Sequence, residues 1–518
     1  MSEKVFAPRL ARRTFLAASA ASAALMLTGC LNLAPRYEKP AAPTETSQDW
    51  AVSPRDAGVK EGELVTWDKF FLDERLRKVI ELALANNRDL RQSMLEVERL
   101  RALYRVSRAE LFPTVGAQAD ATHSRSSIDA LQPGYPRHSH VYAANLAMSS
   151  YEIDFFGKIR NMNEQALQAF FAGEDARRSA QNTLIAEVAT EWLSIGADQA
   201  NLDLARRTLE SQTASYSLVE KSYNAGASNR LELNQAKETV ATAKIAVQTA
   251  IASLEQDQNA LRLLVGAEVP ADLLPKKIEL GATLPATMPA GLPSQVLLRR
   301  PDISSAERSL RSANANIGVA RAAFFPSITL TSSIGTLSTD MSNLFKGGRG
   351  TWSFAPAISL PIFTGGANEA NLEAAKIYQK EQVAAYEKAI QTAFREVNDA
   401  LSTESTITKR VEAQDEMVKA AESAYEVADL RYKHGVDNFL AVLDSQRTMF
   451  SAQQAQISTR LARAVSIVTL YKVLGGGQEV ASQPEQGGKK PFWNERGPHL
   501  QLLRQQGRHY RSDCEPVA

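Results

Sequence analysis

Long proline-free stretches of this chain carry apolar residues at steps of three and four, as in Leu184, Val188, Trp192 and Ile195, or Tyr386, Ile390, Ala393 and Val397. That spacing draws one stripe down a helix. It predicts helices over 73–110, 158–222 and 230–264, and again over 297–323, 367–431 and 439–474. At about 1.5 Å per residue, the stretch 158–222 reaches roughly 100 Å, well beyond the width of a globular domain. Such a helix cannot bury its stripe alone and must lie in a coiled-coil-like array. Alanine at many stripe positions permits close helix approach.

Between the helices the period changes to two. Trp352, Phe354, Ile358, Leu360 and Ile362 share one parity, while Ser353, Ala355, Ala357 and Ser359 share the other; Ile328, Leu330 and Ile334 likewise oppose Thr329, Thr331 and Ser333. Strands are therefore expected over 114–122, 141–149, 327–334 and 351–362. Pro356 weakens the last, because proline removes a ladder donor. An apolar face backed by a small or polar one suits a membrane barrel with a wet lumen, and equally a soluble sheet packed on one side. Four strands are too few to close a barrel around a channel, since small membrane barrels need about eight. Association of several chains would supply the rest.

The elements occur twice. Arg108-Ala109-Glu110-Leu111-Phe112-Pro113 matches Arg321-Ala322-Ala323-Phe324-Phe325-Pro326, Gly157 matches Gly366, and Tyr223-Asn224-Ala225-Gly226 matches Tyr432-Lys433-His434-Gly435, at offsets of about 209 to 213 residues. Internal repetition of this kind decides the fold class. The chain divides into residues 1–29, 30–66, a first copy at 67–264 with its strand pair at 114–149, and a linker at 265–296. A second copy at 297–477, with its strand pair at 327–362, and a tail at 478–518 complete it; the tail, rich in Pro, Gly and Arg, is expected to be poorly ordered.

Composition alters the picture mainly at the N-terminus. Lys4, Arg9, Arg12 and Arg13 precede an apolar run from Phe15 to Leu27, which is too short for a bilayer span of about 20 residues and reads as an export signal. Leu27-Thr28-Gly29-Cys30 resembles the lipobox of bacterial lipoproteins, implying lipidation of Cys30 and cleavage before it; Leu31 in place of Asp favours the outer membrane. Arg12-Arg13-Thr14-Phe15-Leu16 also resembles a twin-arginine export motif. Apart from Cys30 the chain has only Cys514, so lipidation of Cys30 leaves no intrachain disulfide. With 59 basic and 58 acidic residues the net charge is +1, which suggests no nucleic-acid surface. The sequence contains no phosphate-cradling glycine loop, no spaced metal quartet and no hydrolase constellation, so neither a cofactor nor an enzyme is expected. His138-Ser139-His140 could ligate a metal, but beside Pro133, Gly134 and Pro136 it reads as an exposed hairpin loop.

Six runs in order resemble the TolC-like outer-membrane efflux factors, in the lipoprotein branch that serves resistance-nodulation-division pumps. They are 67–76 (WDKFFLDERL), 151–160 (YEIDFFGKIR), 298–303 (LRRPDI), 321–326 (RAAFFP), 432–447 (YKHGVDNFLAVLDSQR) and 470–477 (LYKVLGGG). The resemblance covers roughly residues 67–477. It implies a mainly α fold with a small membrane β-barrel: a homotrimer whose helices form a periplasmic α-barrel and whose strands form a twelve-stranded β-barrel in the outer membrane. It also implies a passive conduit for small toxic compounds, with a periplasmic adaptor and an inner-membrane pump as partners and outer-membrane lipid around the barrel. A channel for secreted protein and a non-channel lipoprotein scaffold stay open as alternatives.

The turns at Gly226 and Gly435 each follow a helix of maximal length, which places them at one tip, where they would meet an adaptor. Asp444, about two and a half helical turns past Gly435, matches the family position whose carboxylates ring the closed entrance; three copies would form a cation-attracting constriction. An exposed acid on an ordinary helix is the other reading. Leu440, four residues earlier, shares its face and would form an apolar ring or simply pack. Arg447, Tyr432 and Asp437 are candidates for polar links that hold such a gate, and sequence does not pair them.

Overall fold

The computed structural model describes residues 31–41, 65–129, 134, 136–277, 280–285 and 300–476. Helices α1 (Trp67–Phe70), α2 (Glu74–Asn86) and α3 (Arg88–Ala109) lead to strands β1 (Val115–Arg125) and β2 (His138–Ile153). Helices α4 (Lys158–Asn224) and α5 (Arg230–Val265) follow. The second copy has α6 (Pro301–Ala322), β3 (Ser327–Ser338), β4 (Gly350–Ser359), α7 (Ala367–Lys433) and α8 (Phe439–Val473). Both α4 and α7 run unbroken for 67 residues. Among the described residues no helix is long and apolar enough to cross a membrane.

Two expected boundaries moved. The helix anticipated over 73–110 breaks at Asn87, whose side chain accepts from the Leu90 backbone N–H and so caps a new helix, α3. The helix expected from 297 starts at Pro301: a residue before proline avoids the α region, and Arg300 is extended at ψ 137°. Residues 297–299 lie outside the described residues.

These breaks create composite rods. Asn87 Nδ2 donates to the Leu264 carbonyl at 2.7 Å, seating the start of α3 on the end of α5. Gly266 makes room for this: at φ 73°, it would carry a Cβ only 2.5 Å from the Asn86 carbonyl. In the second copy Arg300 Nη1 donates to the Val473 carbonyl at 2.9 Å, seating α6 on the end of α8. Four rods result, with α4 packed between the α5/α3 and α8/α6 composites and α7 against the latter.

The main core lies where the composite rods join. There Phe70, Phe71, Leu76 and Ile80 pack with Leu184, Val188, Trp192 and Ile195 of α4 and with Tyr386, Ile390, Ala393 and Val397 of α7. Both stripes read from the sequence are thus buried. The 67–76 run docks by stacking Phe70 on Tyr471 of α8, centroids 3.9 Å apart.

The strands form one antiparallel sheet in the order β1-β2-β3-β4, so the two copies join through β2 and β3. Register aligns Ala117, Leu146, Ile334 and Trp352 across the sheet, and beside them Val115, Met148, Ser332 and Phe354. The neighbouring row, Gln118, Asn145, Gly335 and Thr351, is polar or small and faces the other way. A bulge between Met148 and Tyr151, with Ser150 at φ 48°, inserts one extra residue. If the same residues paired in regular alternation instead, Tyr151 and Ile153 would fall on the opposite face. Pro356 sits on β4, at the edge of the sheet, where a missing donor is tolerated. Residues Leu360 and Ile362, expected in this strand, fall beyond its end at Ser359. In a single chain the apolar face is uncovered: Trp352 is 79%, Ile334 65% and Leu146 54% exposed.

Candidate functional site

At the end of the rods opposite the sheet, α4 turns into α5 and α7 into α8 through matched turns. Gly226 and Gly435 take the left-handed conformation, φ 74° and 72°, and the Ala227 and Val436 N–H groups reach back to the Ser222 and Arg431 carbonyls. Those reverse hydrogen bonds close the helix C-termini and select glycine. Asn229 and Asn438 then restart the chain, their side chains accepting from the Glu232 and Ala441 N–H groups. A Cβ on either glycine would meet nothing within 4 Å, so both turns face open space.

A small apolar cluster ties the two hairpins together: Val219 of α4, Ala236 of α5, Ala428 of α7, and Phe439, Val442 and Leu443 of α8. Burying Phe439, Val442, Leu443 and Gln446 orients the first turns of α8. Leu440, Asp444 and Arg447, at steps of four and three, are left together on its exposed face. Leu440 is 56% exposed although apolar. Asp444 and Arg447 have no hydrogen-bond or ion-pair partner among the described residues.

The other two linking candidates are engaged within their own turn. The Asp437 carboxylate receives both Nε and Nη2 of Arg431, the latter at 3.0 Å. The hydrogen bond from Arg431 holds the Asp437 carboxyl below the usual range. Tyr432 packs its ring on Phe439, centroids 5.3 Å apart, and burial, with Glu232 nearby, pushes its phenol up. Sequence reading missed Arg431, six residues from Asp437 across the turn; a basic residue in the last turn of a helix was its only signal.

Cys30 lies outside the described residues, but the chain just after it is placed. Residues 31–41 run along α4 and α6 close to the sheet. Asn161 Nδ2 donates to Asn32 Oδ1, Asn314 Nδ2 to the Pro35 carbonyl, Arg321 Nη1 to the Leu33 carbonyl, and Lys39 Nζ to Glu307. The Arg311 guanidinium lies over the Tyr37 ring at 4.4 Å. Glycines at 157 and 318 permit the approach, since a Cβ on Gly318 would lie 2.9 Å from Ala34 Cα and one on Gly157 3.2 Å from Asn32 Cα. Nothing in the linker-like composition of this segment announced that strap.

Known proteins share this arrangement. The family described as outer membrane efflux protein matches over residues 79–267 and 292–476, one stretch for each copy of the rods. The toluene efflux pump outer membrane protein TtgC of Pseudomonas putida is 44% identical over 463 residues, 89% of this chain and 95% of that protein. An antibiotic efflux pump outer membrane protein of the same species, ArpC, matches to the same extent, 44% over 463 residues. The crystal structure of the open state of the Neisseria gonorrhoeae MtrE outer membrane channel superposes with a TM-score of 0.77 at 39% identity, covering 86% of this chain and 98% of that one. The chain belongs to the outer membrane efflux protein family.

Proposed function

We propose that this chain is the outer-membrane conduit of a tripartite efflux pump, working as a homotrimer anchored by lipid on Cys30. The observation that carries the reading is the sheet: apolar on one face, polar on the other, open at both edges, and set at the end of rods roughly 100 Å long. Strands of 10 to 16 residues suit a tilted membrane crossing, which takes about 9 to 11. Open edges at β1 and β4 favour pairing with further copies, and three copies give twelve strands. Gln118, Asp120, Asn145, Thr329, Thr331 and Ser333 then line a wet lumen, while Leu146, Ile334 and Trp352 meet lipid. The strap over residues 31–41 holds the lipidated end beside the sheet root.

At the other end the exposed turns at Gly226 and Gly435 offer a docking surface for a periplasmic adaptor, which couples the conduit to an inner-membrane pump. Three copies of Asp444 and Leu440 form the periplasmic gate, a carboxylate ring beside an apolar one. Arg447 is the candidate link between protomers, because its guanidinium is uncommitted, whereas Asp437 is already paired with Arg431. Transport needs no chemistry in this chain, and the names of its relatives, toluene and antibiotic efflux proteins, favour small toxic organic compounds over secreted polypeptide as cargo.

Single-channel recording of the purified protein in planar bilayers tests this. The wild type is expected to conduct poorly, and Asp444→Ala combined with Leu440→Ala several-fold better. A variant conductance equal to wild type removes the gate, and absence of any conductance from either removes the conduit.

A further inference from the structure

The His138-Ser139-His140 run does not lie in a loop as expected: it opens β2, and the register sets His140 opposite His123 and His138 opposite Arg125 on β1. Pairing therefore runs further toward the hairpin tip than the prolines suggested. Strand alternation stands His123, His138 and His140 on one face of the hairpin. The imidazoles of His123 and His140 turn toward each other, ring centroids 4.7 Å apart and planes at 67°, with their Nδ1 atoms 2.5 Å apart. Tyr142 holds the His123 ring edge-on at 5.4 Å. Two protonated Nδ1 atoms cannot share that space, so at least one presents its lone pair to the other.

Two ring nitrogens converging across one strand pair are half of a metal site already assembled. Bonds of about 2.0–2.1 Å to a tetrahedral cation would hold the nitrogens roughly 3.4 Å apart. The present pair needs to open by less than about 1 Å to admit one. Both rings are exposed, so rotation meets no packing and water can complete the coordination. Among the described residues no group of three metal-ligating side chains is poised together, so the protein supplies two ligands and solvent the rest.

We propose that His123 and His140 form a two-imidazole site for a divalent transition metal at the distal end of the β1–β2 hairpin. Nitrogen donors without a carboxylate select borderline cations such as Cu2+, Ni2+ and Zn2+ over Mg2+ and Ca2+, and the affinity order favours Cu2+. A bound ion clips β1 to β2 directly beneath the connection between them, where the Ser126 N–H meets the Arg137 carbonyl. The site is independent of the conduit and the gate.

The test is Cu2+ titration of the detergent-solubilised full-length protein, read by electron paramagnetic resonance, with His123→Gln, His140→Gln and His138→Gln alongside. One Cu2+ per protomer with coupling to two nitrogens is expected for the wild type. His123→Gln and His140→Gln should each weaken binding by about tenfold or more and leave a single coupled nitrogen. The His138 variant should stay within about twofold of wild type, and Mg2+ in large excess should not compete. All three side chains are exposed, so an unchanged circular dichroism spectrum confirms folding. A wild type lacking the two-nitrogen signal overturns the site, as does unchanged binding in the His123 and His140 variants, or an equal loss on changing His138.

Discussion

Arg300 reaches across 173 residues of sequence to donate from Nη1 to the Val473 carbonyl, at 2.9 Å, and this bond welds α6 to the end of α8. The guanidinium is nearly buried and also holds Asp302 and Glu396, both at 2.7 Å. Arg300→Met removes the donor for an otherwise unsatisfied helix-end carbonyl and leaves Glu396 without its cation. The two carboxylates are about one-third exposed, which reduces the cost relative to a fully buried pair; a loss of about 2–3 kcal/mol is expected. A lower melting temperature, with secondary structure retained at 25 °C, would register it.

Elements governed by local periodicity were legible in the sequence. The stripes through Trp192 and Tyr386 are helix signals strong enough to survive over 67 residues, and alternation in β3 and β4 placed those strands. Joints were not legible. Asn87 and Arg300 act on carbonyls of Leu264 and Val473, far away in the chain, so no local pattern betrays that short helices complete long rods. The double Asn at 86 and 87 did offer a capping signal, which the continuing amphipathic pattern obscured. At the tip, the exposure of Asp444 follows from helix spacing once Phe439, Val442 and Leu443 are buried. The commitment of Asp437 to Arg431 depends instead on the left-handed turn at Gly435, which fixes how the chain folds back.

Burial, with Asp257 close by, pushes the Glu191 carboxyl up to about 7 and the Asp198 carboxyl up to about 6, from ordinary values of 4.5 and 3.8. Both folded-state values exceed the unfolded ones, so the folded chain binds more protons between roughly pH 4 and 7. Stability supplied by these acids is present below the unfolded values and is lost as pH rises through 6 and 7. Glu191→Gln is therefore expected to melt higher than wild type at pH 8 and close to it at pH 5. Thermal melts across that range check it; an equal shift at both pH values would contradict the burial of an acid here.

Gly318 is helical, so changing it to Ala would ordinarily gain up to about 1 kcal/mol of helix propensity. Here the new Cβ would sit 2.3 Å from Asn161 Nδ2 and 2.9 Å from Ala34 Cα. Asn161 can swing aside only by giving up Asn32, and the Ala34 backbone must lift, so the clash outweighs the propensity. The strap should loosen and become sensitive to trypsin at Arg36, while the far tip is unaffected; Lys39 precedes Pro40 and is not a cleavage site. Limited proteolysis followed by mass spectrometry measures this.

Gly226→Ala and Gly435→Ala test the opposite case. Nothing lies within 4 Å of either new methyl, so the penalty is only that of the left-handed backbone at φ 74° and 72°, about 1–2 kcal/mol. Asn, which tolerates that region, should cost less at each position. Melting temperatures in the order Gly, Asn, Ala at both sites would confirm that the turns are conformational rather than packed.

Ser150 lies in the bulge of β2, where Met148 opposes Ser332 and Tyr151 opposes Leu330, a step of three residues on one strand against two on the other. Deleting Ser150 makes both steps two. The bulge then closes into a regular ladder in which Met148, Tyr151 and Ile153 keep their faces opposite Ser332, Leu330 and Ile328. Apolar side chains stay toward lipid and polar ones toward the lumen, and only the local bend and added twist of the bulge are lost. The helical rods do not depend on this register. The deletion variant should therefore keep its helical circular dichroism and still form a heat-resistant, membrane-inserted oligomer, read by gel mobility with and without heating; loss of the oligomer would show that the barrel needs the bend of the bulge itself.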